Sequence, residues 1–370
     1  MTATDRRALV QACGAIRVRI PFRRPFTTSA GTWREREAWI VRLRDEAGRD
    51  GFGEAALDPA AGPRARDQLA EALRAGLARV AADRELGDWL EAPSDHGTVD
   101  PMDLAVRAAI AGAALDLGLV DLGPEPAVTI AVNATIATED PAASVAAARA
   151  AADRGFRCLK LKVGSEGTTA QLVDRIGAVR VAVGPDVALR LDANGAWDAA
   201  TALQRAAGVV GLNVAYLEQP IVAGAPADLA ELRRASPVAI AADESVASIA
   251  AALALLATDA ADVLVVKPAR VGGPASAMAI ARGAIAAGVG VTVSTLLETG
   301  VGLAAAARVA AALPDHDHAH GLATADVLVD NLLAAPMRSA GGRLTVPPPG
   351  LRLDEAALAR WTIGRIGPTW

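Results

Sequence analysis

Cysteine, histidine and aromatic side chains are scarce in this sequence, and it has neither a long apolar run nor an excess of basic charge. Cys13 and Cys158 are the only 2 cysteines in 370 residues. That excludes a disulfide framework and points to a reducing cytoplasm. Lysine and arginine number 37 against 42 aspartates and glutamates, a net charge of −5, which excludes a surface built for nucleic acid or an acidic membrane. The apolar stretches are alanine-rich and broken by Asp, Arg or Gly, so none reads as a membrane span, and "MTATDRRALV" does not read as a secretory leader. With aromatics at 3%, Trp33, Trp39 and Trp197 read as packing residues rather than a stacking platform. What remains is plentiful alanine, 52% hydrophobic residues and 21% charged ones. That composition supports a large folded core and argues against disorder.

The texture changes along the chain. "CGAIRVRIPF" (13–22) and "EAWIVRLRDEAG" (37–48) alternate apolar and charged residues, as half-exposed antiparallel strands do. Helical spacing follows over 64–82 and 101–119, the second with proline at its start. From about residue 127, short β-rich runs each precede an Ala-rich helical run: "VTIAVNATI", "FRCLKLKVG", "VALRLDANG", "VAYLEQP", "VAIAADES", "ADVLVVKP", "VGVTVSTLLE" and finally "HAHGLAT" (318–324). Apolar strands alternating with helices are the pattern of a parallel α/β barrel. The eighth run lacks a clean following helix. The expected fold is therefore α/β, a (β/α)7β TIM-like barrel over 123–340 with an N-terminal α+β capping domain over 1–122. A strand-like piece in 341–354 is expected to return to the cap, which would take in 341–370. An open doubly wound sheet is the alternative.

Most of these strand runs end in polar residues: Lys160 and Lys162, Asp192 and Asn194, Glu218, Asp243, Lys267, Ser294. From Lys162 to Ser294 successive strand ends lie 24 to 30 residues apart, one strand–helix unit each, so these residues fall at the C-terminal ends of strands, where barrels carry their chemistry. A single Asp there ordinarily caps the next helix; three acids on three consecutive strands converge on the barrel mouth. Three adjacent carboxylates cannot all stay ionised unpaired. An all-oxygen set without His or Cys suits magnesium, with manganese as a substitute, rather than zinc. Lys162 and Lys267 flank that cluster two strands to either side of Glu218. A metal between two lysines suits removal of a proton α to a carboxylate, with the metal taking the developing charge. A lysine beside a second cation becomes a usable base.

"LKLKVG", "RLDANGAW", "YLEQP", "AADES", "VVKP" and "VSTLLETGVG" together resemble the enolase superfamily, muconate-lactonising subgroup, and the resemblance covers nearly the whole chain. It implies magnesium held by Asp192, Glu218 and Asp243, Lys162 as the proton-abstracting catalyst, Lys160 as its tuner and Lys267 as the opposite-face lysine. Asn194 resembles the supporting residue two positions after the first ligand. Glu244, beside Asp243, is expected to point away. Arg190 resembles an arginine of the o-succinylbenzoate synthases, so the expected activity is a hydro-lyase of that kind. Ser294 and Thr295, with backbone N–H groups of the following helix start, are expected to hold the substrate's second carboxylate. The eighth strand end, "GLATADVL", lacks the Asp-x-Asp pair of dipeptide epimerases, and "KPARVGG" departs from the expected pattern at Pro268. An N-succinylamino-acid racemase or other cycloisomerase remains the alternative, and a non-catalytic carboxylate-binding barrel the alternative of another class. The expected partner is a small-molecule carboxylate; monomer and homo-oligomer stay open.

Two further motifs are set aside. His316, His318 and His320 precede the last strand's end and read as structure at the barrel bottom rather than a metal site. "TGVGLA" (299–304) lacks the Lys-Ser/Thr of a phosphate loop and reads as an anion-friendly helix start. "RRPFTTSAGT" (23–32) and "GFGEAALDP" (51–59) are the expected lid loops over the barrel mouth.

Overall fold

The computed structural model describes residues 9–28, 31–91, 100–123, 128–138, 140–165, 167–315 and 318–367. Three strands, β1 (Val10–Thr28), β2 (Gly31–Asp45) and β3 (Asp50–Ala55), are followed by the helices α1 (Pro63–Asp83), α2 (Gly87–Leu90) and α3 (Pro101–Asp116). The strands form an antiparallel sheet. Period-two alternation divides β2 between two cores: Trp39, Val41 and Leu43 pack with α1 and α3, whereas Ala38 and Ile40 join the barrel core. The centre of β2, from Ala38 to Val41, is thus buried on both faces, not half-exposed as the charged alternation suggested.

The sheet seats closely on α3. A Cβ at Gly53 would fall 1.9 Å from the Ala109 carbonyl oxygen, so the glycines of "GFGEAA" serve backbone contact. Residues 50–55 are accordingly strand, and only the stretch after Ala55 is loop. The 23–32 segment is also largely strand, the ends of β1 and β2; its tip at 29–30 lies outside the described residues.

The barrel begins with β4 (Thr129–Ala131), on its floor, and β5 (Ala134–Ile136). It continues through α4 (Pro141–Asp153), β6 (Cys158–Lys162), α5 (Thr169–Val183), β7 (Ala188–Asp192), α6 (Ala199–Val209) and β8 (Val214–Glu218). Then come α7 (Pro226–Ala235), β9 (Ile240–Ala242), α8 (Ile249–Ala257), β10 (Val263–Val266), α9 (Pro274–Ala286), β11 (Gly290–Val293) and α10 (Gly300–Ala311). From β5 to β11, 7 strands run parallel in sequence order. No regular eighth strand closes the ring among the described residues. His320 bridges to Val132 and Gly321 to Ser294, and this two-residue seam spans the gap. His316 lies outside the described residues.

The tail divides differently from expectation. β12 (Ser339–Ala340) and β13 (Arg343–Thr345) form a hairpin that pairs with β4 on the barrel floor. Gly341 and Gly342 take φ of 57° and 71° at its turn, as a two-residue hairpin requires. After α11 (Glu355–Trp361), the strand that returns to the first sheet is β14 (Thr362–Ile366), antiparallel to β1. Among the described residues no helix is long and apolar enough to cross a membrane.

One buried carboxylate ties the two halves. Asp116, at the end of α3, accepts from Phe52 N (3.1 Å), Arg308 Nη2 of α10 (2.9 Å) and Gly350 N (3.0 Å). Removing one partner of such a pair leaves a buried charge uncompensated. Asp116→Ala is therefore expected to cost about 3–5 kcal/mol of stability, read as a lower urea midpoint; an unchanged midpoint would refute the tie.

Candidate active site

From β6 to β11 each strand ends at its polar residue or one residue before it, and strand register sets those residues side by side. Lys162 is in register with Asp192, and Asp192 with Glu218; Asp243 and Lys267 each follow their strand by one residue. All three acids are buried, at 0%, 1% and 1% exposure, so their charges must be balanced locally. Lys160 Nζ lies 2.9 Å from both Asp192 Oδ2 and Glu218 Oε1. Lys162 Nζ donates to Asp192 Oδ2 (2.6 Å) and Asn194 Oδ1 (2.7 Å). On the other side Lys267 Nζ donates to Asp243 Oδ2 (2.7 Å).

The electrostatics follow from this packing. Burial favours neutral Lys160, but Asp192, Glu218 and Asp243 outweigh it and hold its pKa well above the usual lysine value. Lys160 is thus a permanent cation within reach of Lys162. Against burial, Lys160 and Lys162 keep Asp192 far below the carboxylate range, while Lys267 and Arg270 hold Asp243 down at about 2. Burial and then the Asp192 charge push Glu218 up to about 7 despite Lys160. The cluster is therefore short of positive charge at its centre. Among the described residues no three acids, histidines or cysteines stand as a ready metal cage, because ammonium groups fill the gaps between the carboxylates. The donors nevertheless fit a hard divalent cation: all are oxygens, and the charge deficit at Glu218 is what such an ion relieves.

One neighbour was misread in the sequence and several went unread. Glu244 does not point away: β9 stops at Ala242, so strand alternation ends before it. In the following turn its Oε1 accepts from Asn194 Nδ2 (3.1 Å), and its Oε2 is buried without a hydrogen-bond partner. Gln219 Oε1 accepts from the N–H groups of Asp243 (2.9 Å) and Ser245 (3.1 Å), fixing that turn. Arg270 Nη1 reaches Asp243 Oδ1 at 3.0 Å. Arg175, 1% exposed, donates to the Lys162 carbonyl at 2.9 Å and pins the end of β6. Adjacency to "EQP", "DES" and "KPAR" was the available signal for the first three; Arg175 lies mid-helix and carried none.

Two expectations need correction. Arg190 lies a layer below Asp192, in register with Lys160 and Tyr216. Its guanidinium donates to the Ala319 carbonyl (2.7 Å), sits 3.3 Å from His318 Nε2 and covers the Tyr216 ring at 4.9 Å. It is turned to the barrel floor rather than presented with the acids. The start of α10 is also not free for a substrate anion. Its N–H groups at Thr299 and Gly302 donate to Glu54 of β3, at 3.1 and 3.0 Å. Ser294 and Thr295, 7% and 6% exposed, do lie together beyond β11, with Ser294 Oγ donating to the Gly321 carbonyl (3.3 Å).

A family model described as enolase C-terminal domain-like matches residues 143–357. The chain belongs to the enolase superfamily. The o-succinylbenzoate synthase of Thermobifida fusca is 39% identical over 211 residues, 55% of this chain and 64% of that protein; the match thus spans under two thirds of the synthase. The L-Ala-D/L-Glu epimerase of Bacillus subtilis is 30% identical over 293 residues, 76% of this chain and 80% of that protein. A muconate lactonizing enzyme from Pseudomonas fluorescens, solved with muconolactone, superposes with a TM-score of 0.83 at 28% identity, covering 96% of this chain and all of that one. Within the superfamily the chain falls in the muconate-lactonising subgroup, and its barrel and β-rich cap are that subgroup's fold.

The barrel floor yields a pH prediction. Burial and then the Arg190 charge lower His318 to about 4. Its folded pKa is depressed below the unfolded value, so its contribution to stability is complete above about pH 6.5 and is lost as pH falls toward 4. Between pH 7.5 and pH 5 the protein should lose about 2 kcal/mol through this residue, and His318→Gln should lose correspondingly less. Parallel urea midpoints for the two proteins across that interval would contradict the assignment.

Proposed function

We propose that this enzyme is a magnesium-dependent o-succinylbenzoate synthase. It would dehydrate 2-succinyl-6-hydroxy-2,4-cyclohexadiene-1-carboxylate to 2-succinylbenzoate, a cytoplasmic step of menaquinone biosynthesis. The observation that carries the reading is the pair of lysines on opposite flanks of one acid cluster, Lys162 on Asp192 and Lys267 on Asp243, in a chain related to a synthase at 39% identity. Under this reading residues 1–122 with the returning tail form the cap, and 123–340 the catalytic barrel.

Asp192, Glu218 and Asp243 would hold the magnesium. When bound, that ion supplies positive charge for the negative charge that develops on the substrate carboxylate. Lys162 takes the α-proton. Expulsion of the hydroxyl group from the same face then aromatises the ring, and Lys162 returns the proton to it as water. The lysine ends as it began, and atoms balance as loss of one water. Lys160 stands beside it as a second cation on the same acid, and Asn194 fixes the direction of its amine. Lys267 faces the opposite side of the ring plane and helps hold the enediolate. Ser294 and Thr295 contribute hydroxyls to the succinyl carboxylate, without the α10 N–H groups. Arg190 supports the floor beside Lys160 instead of touching substrate.

A racemase acting on N-succinyl amino acids is the second reading. One lysine on each face is what reversible proton transfer across a planar intermediate needs, and the epimerase relative is matched over 80% of its length. Assaying the purified protein on the cyclohexadiene carboxylate and on N-succinyl amino acids in D2O separates the two. Dehydration without deuterium entering the amino acid supports the synthase, and the reverse supports the racemase. Lys162→Ala should lower turnover by about 10²–10⁴-fold while magnesium binding by calorimetry persists; a fully active variant removes Lys162 from its role. Chelation of divalent ions should stop the reaction reversibly, and turnover unaffected by chelator would sink the metal assignment.

A further inference from the structure

We propose that Glu54, a residue of the cap sheet, is a positioning residue for the active site that holds the loop 294–299 of the barrel in its working shape. The inference rests on the reading above only in taking Ser294 and Thr295 as substrate contacts. Glu54 is 4% exposed. Its carboxylate accepts three hydrogens from one place: Thr299 N–H at 3.1 Å, Thr299 Oγ1 at 2.6 Å and Gly302 N–H at 3.0 Å. The donors lie 245 and 248 residues further along the chain. A carboxylate at a helix N-terminus is favoured by the unpaired N–H groups and the helix dipole, so this is a strong anchor from one half of the molecule into the other.

The anchored segment has a shape that needs holding. Leu297 takes φ 63°, a left-handed conformation that is costly for a branched residue and persists only where its surroundings impose it. Clamps stand on both sides of it. Before it, Leu296 N donates to Glu298 Oε2; after it, Thr299 is fixed by Glu54. Gly302 is needed for the approach, since a Cβ there would lie 2.6 Å from Glu298 Cβ and 3.1 Å from Glu54 Oε2. Arg36 on β2 is the nearby positive charge for both Glu54 and Glu298. It is 3% exposed, its Nη1 donates to the Leu57 carbonyl, and its buried Nε and Nη2 have no hydrogen-bond partner. Arg36, Glu54 and Glu298 are thus all buried beside the loop that carries Ser294 and Thr295. Docking of the cap and shaping of the substrate contact are one event.

Glu54→Gln tests this with little change of volume, because its amide NH2 would face a donor where a carboxylate oxygen accepted one. Hydrogen–deuterium exchange of the peptide covering 294–302, on ligand-free protein, reads the anchor. Steady-state kinetics, on whichever of the cyclohexadiene carboxylate or N-succinyl amino acids the parent turns over, reads the consequence. The expected result is at least tenfold faster exchange in that peptide and a KM raised tenfold or more, with kcat changed less than threefold and magnesium affinity unaltered. Thr299→Val, which removes the hydroxyl that donates to Glu54 and accepts from Val301 N–H, should shift both readings in the same direction by less, and it decides the matter if Glu54→Gln does not fold. Parental exchange overturns the anchor. Faster exchange with parental KM, or a loss confined to kcat, overturns the positioning role. A parent inactive on both substrate classes refutes the proposed function, and the exchange measurement then decides the anchor alone.

Discussion

Three carboxylates cannot lie buried at the ends of β7, β8 and β9 without cations between them, and much of this molecule is organised to supply those cations. Strand register fixes the spacing: Lys162, Asp192 and Glu218 are neighbours because β6, β7 and β8 are. Each lysine reaches its acid from a rigid strand or the residue just after one, so little side-chain freedom is left to lose on ordering the site. Yet the compensation is incomplete. Asp192 and Asp243 are well paired, while Glu218 is pushed up to about 7. A group left this far from its ordinary pKa at the mouth of a barrel is a place where structure has been spent on function.

The same constraint explains what was legible in the sequence. A polar residue closing an apolar strand run recurs once per strand–helix unit, so Asp192, Glu218, Asp243 and both flanking lysines could be placed without coordinates. Alternation failed where a strand was shorter than its apolar run. β9 ends at Ala242, which frees Glu244 to turn toward Asn194. For Arg190 it supplied the face but not the depth: residues two apart share a face, and one layer separates the acids from the floor. The eighth strand was drawn from its composition, whereas two bridging residues do the closing. In the tail, "GGRLTV" has the alternation of a strand but not the identity of its partner; pairing with β4 rather than β1 is decided by where the chain stands after α10.

Glu54 was invisible for a different reason. Nothing local to "GFGEAA" distinguishes a buried cap carboxylate from an exposed one, and its donors lie 245 residues away. The helix start at "TGVGLA" was correctly anion-seeking, but the anion is the protein's own. This changes how substrate selection can work at that edge of the site. With Thr299 and Gly302 committed to Glu54, Gly300 N to the Asn331 carbonyl and Val301 N to Thr299 Oγ1, the first turn of α10 offers no free dipole end to an arriving carboxylate.

Substrate choice is therefore left to side chains, and the proton chemistry does not make that choice. Lys162 and Lys267, one on each flank of the acids, serve a dehydration that uses one face and a racemisation that uses both. What separates those outcomes is whether the molecule held between them has a hydroxyl group positioned to leave, and that is decided by the groups that orient its far end. Ser294 and Thr295 stand in a loop whose backbone is strained at Leu297 and clamped from the cap. A barrel that binds its acids and lysines this firmly can keep its chemistry constant while the cap and that loop change the substrate, which fits relatives that share 25–40% identity with this chain and carry different reaction names.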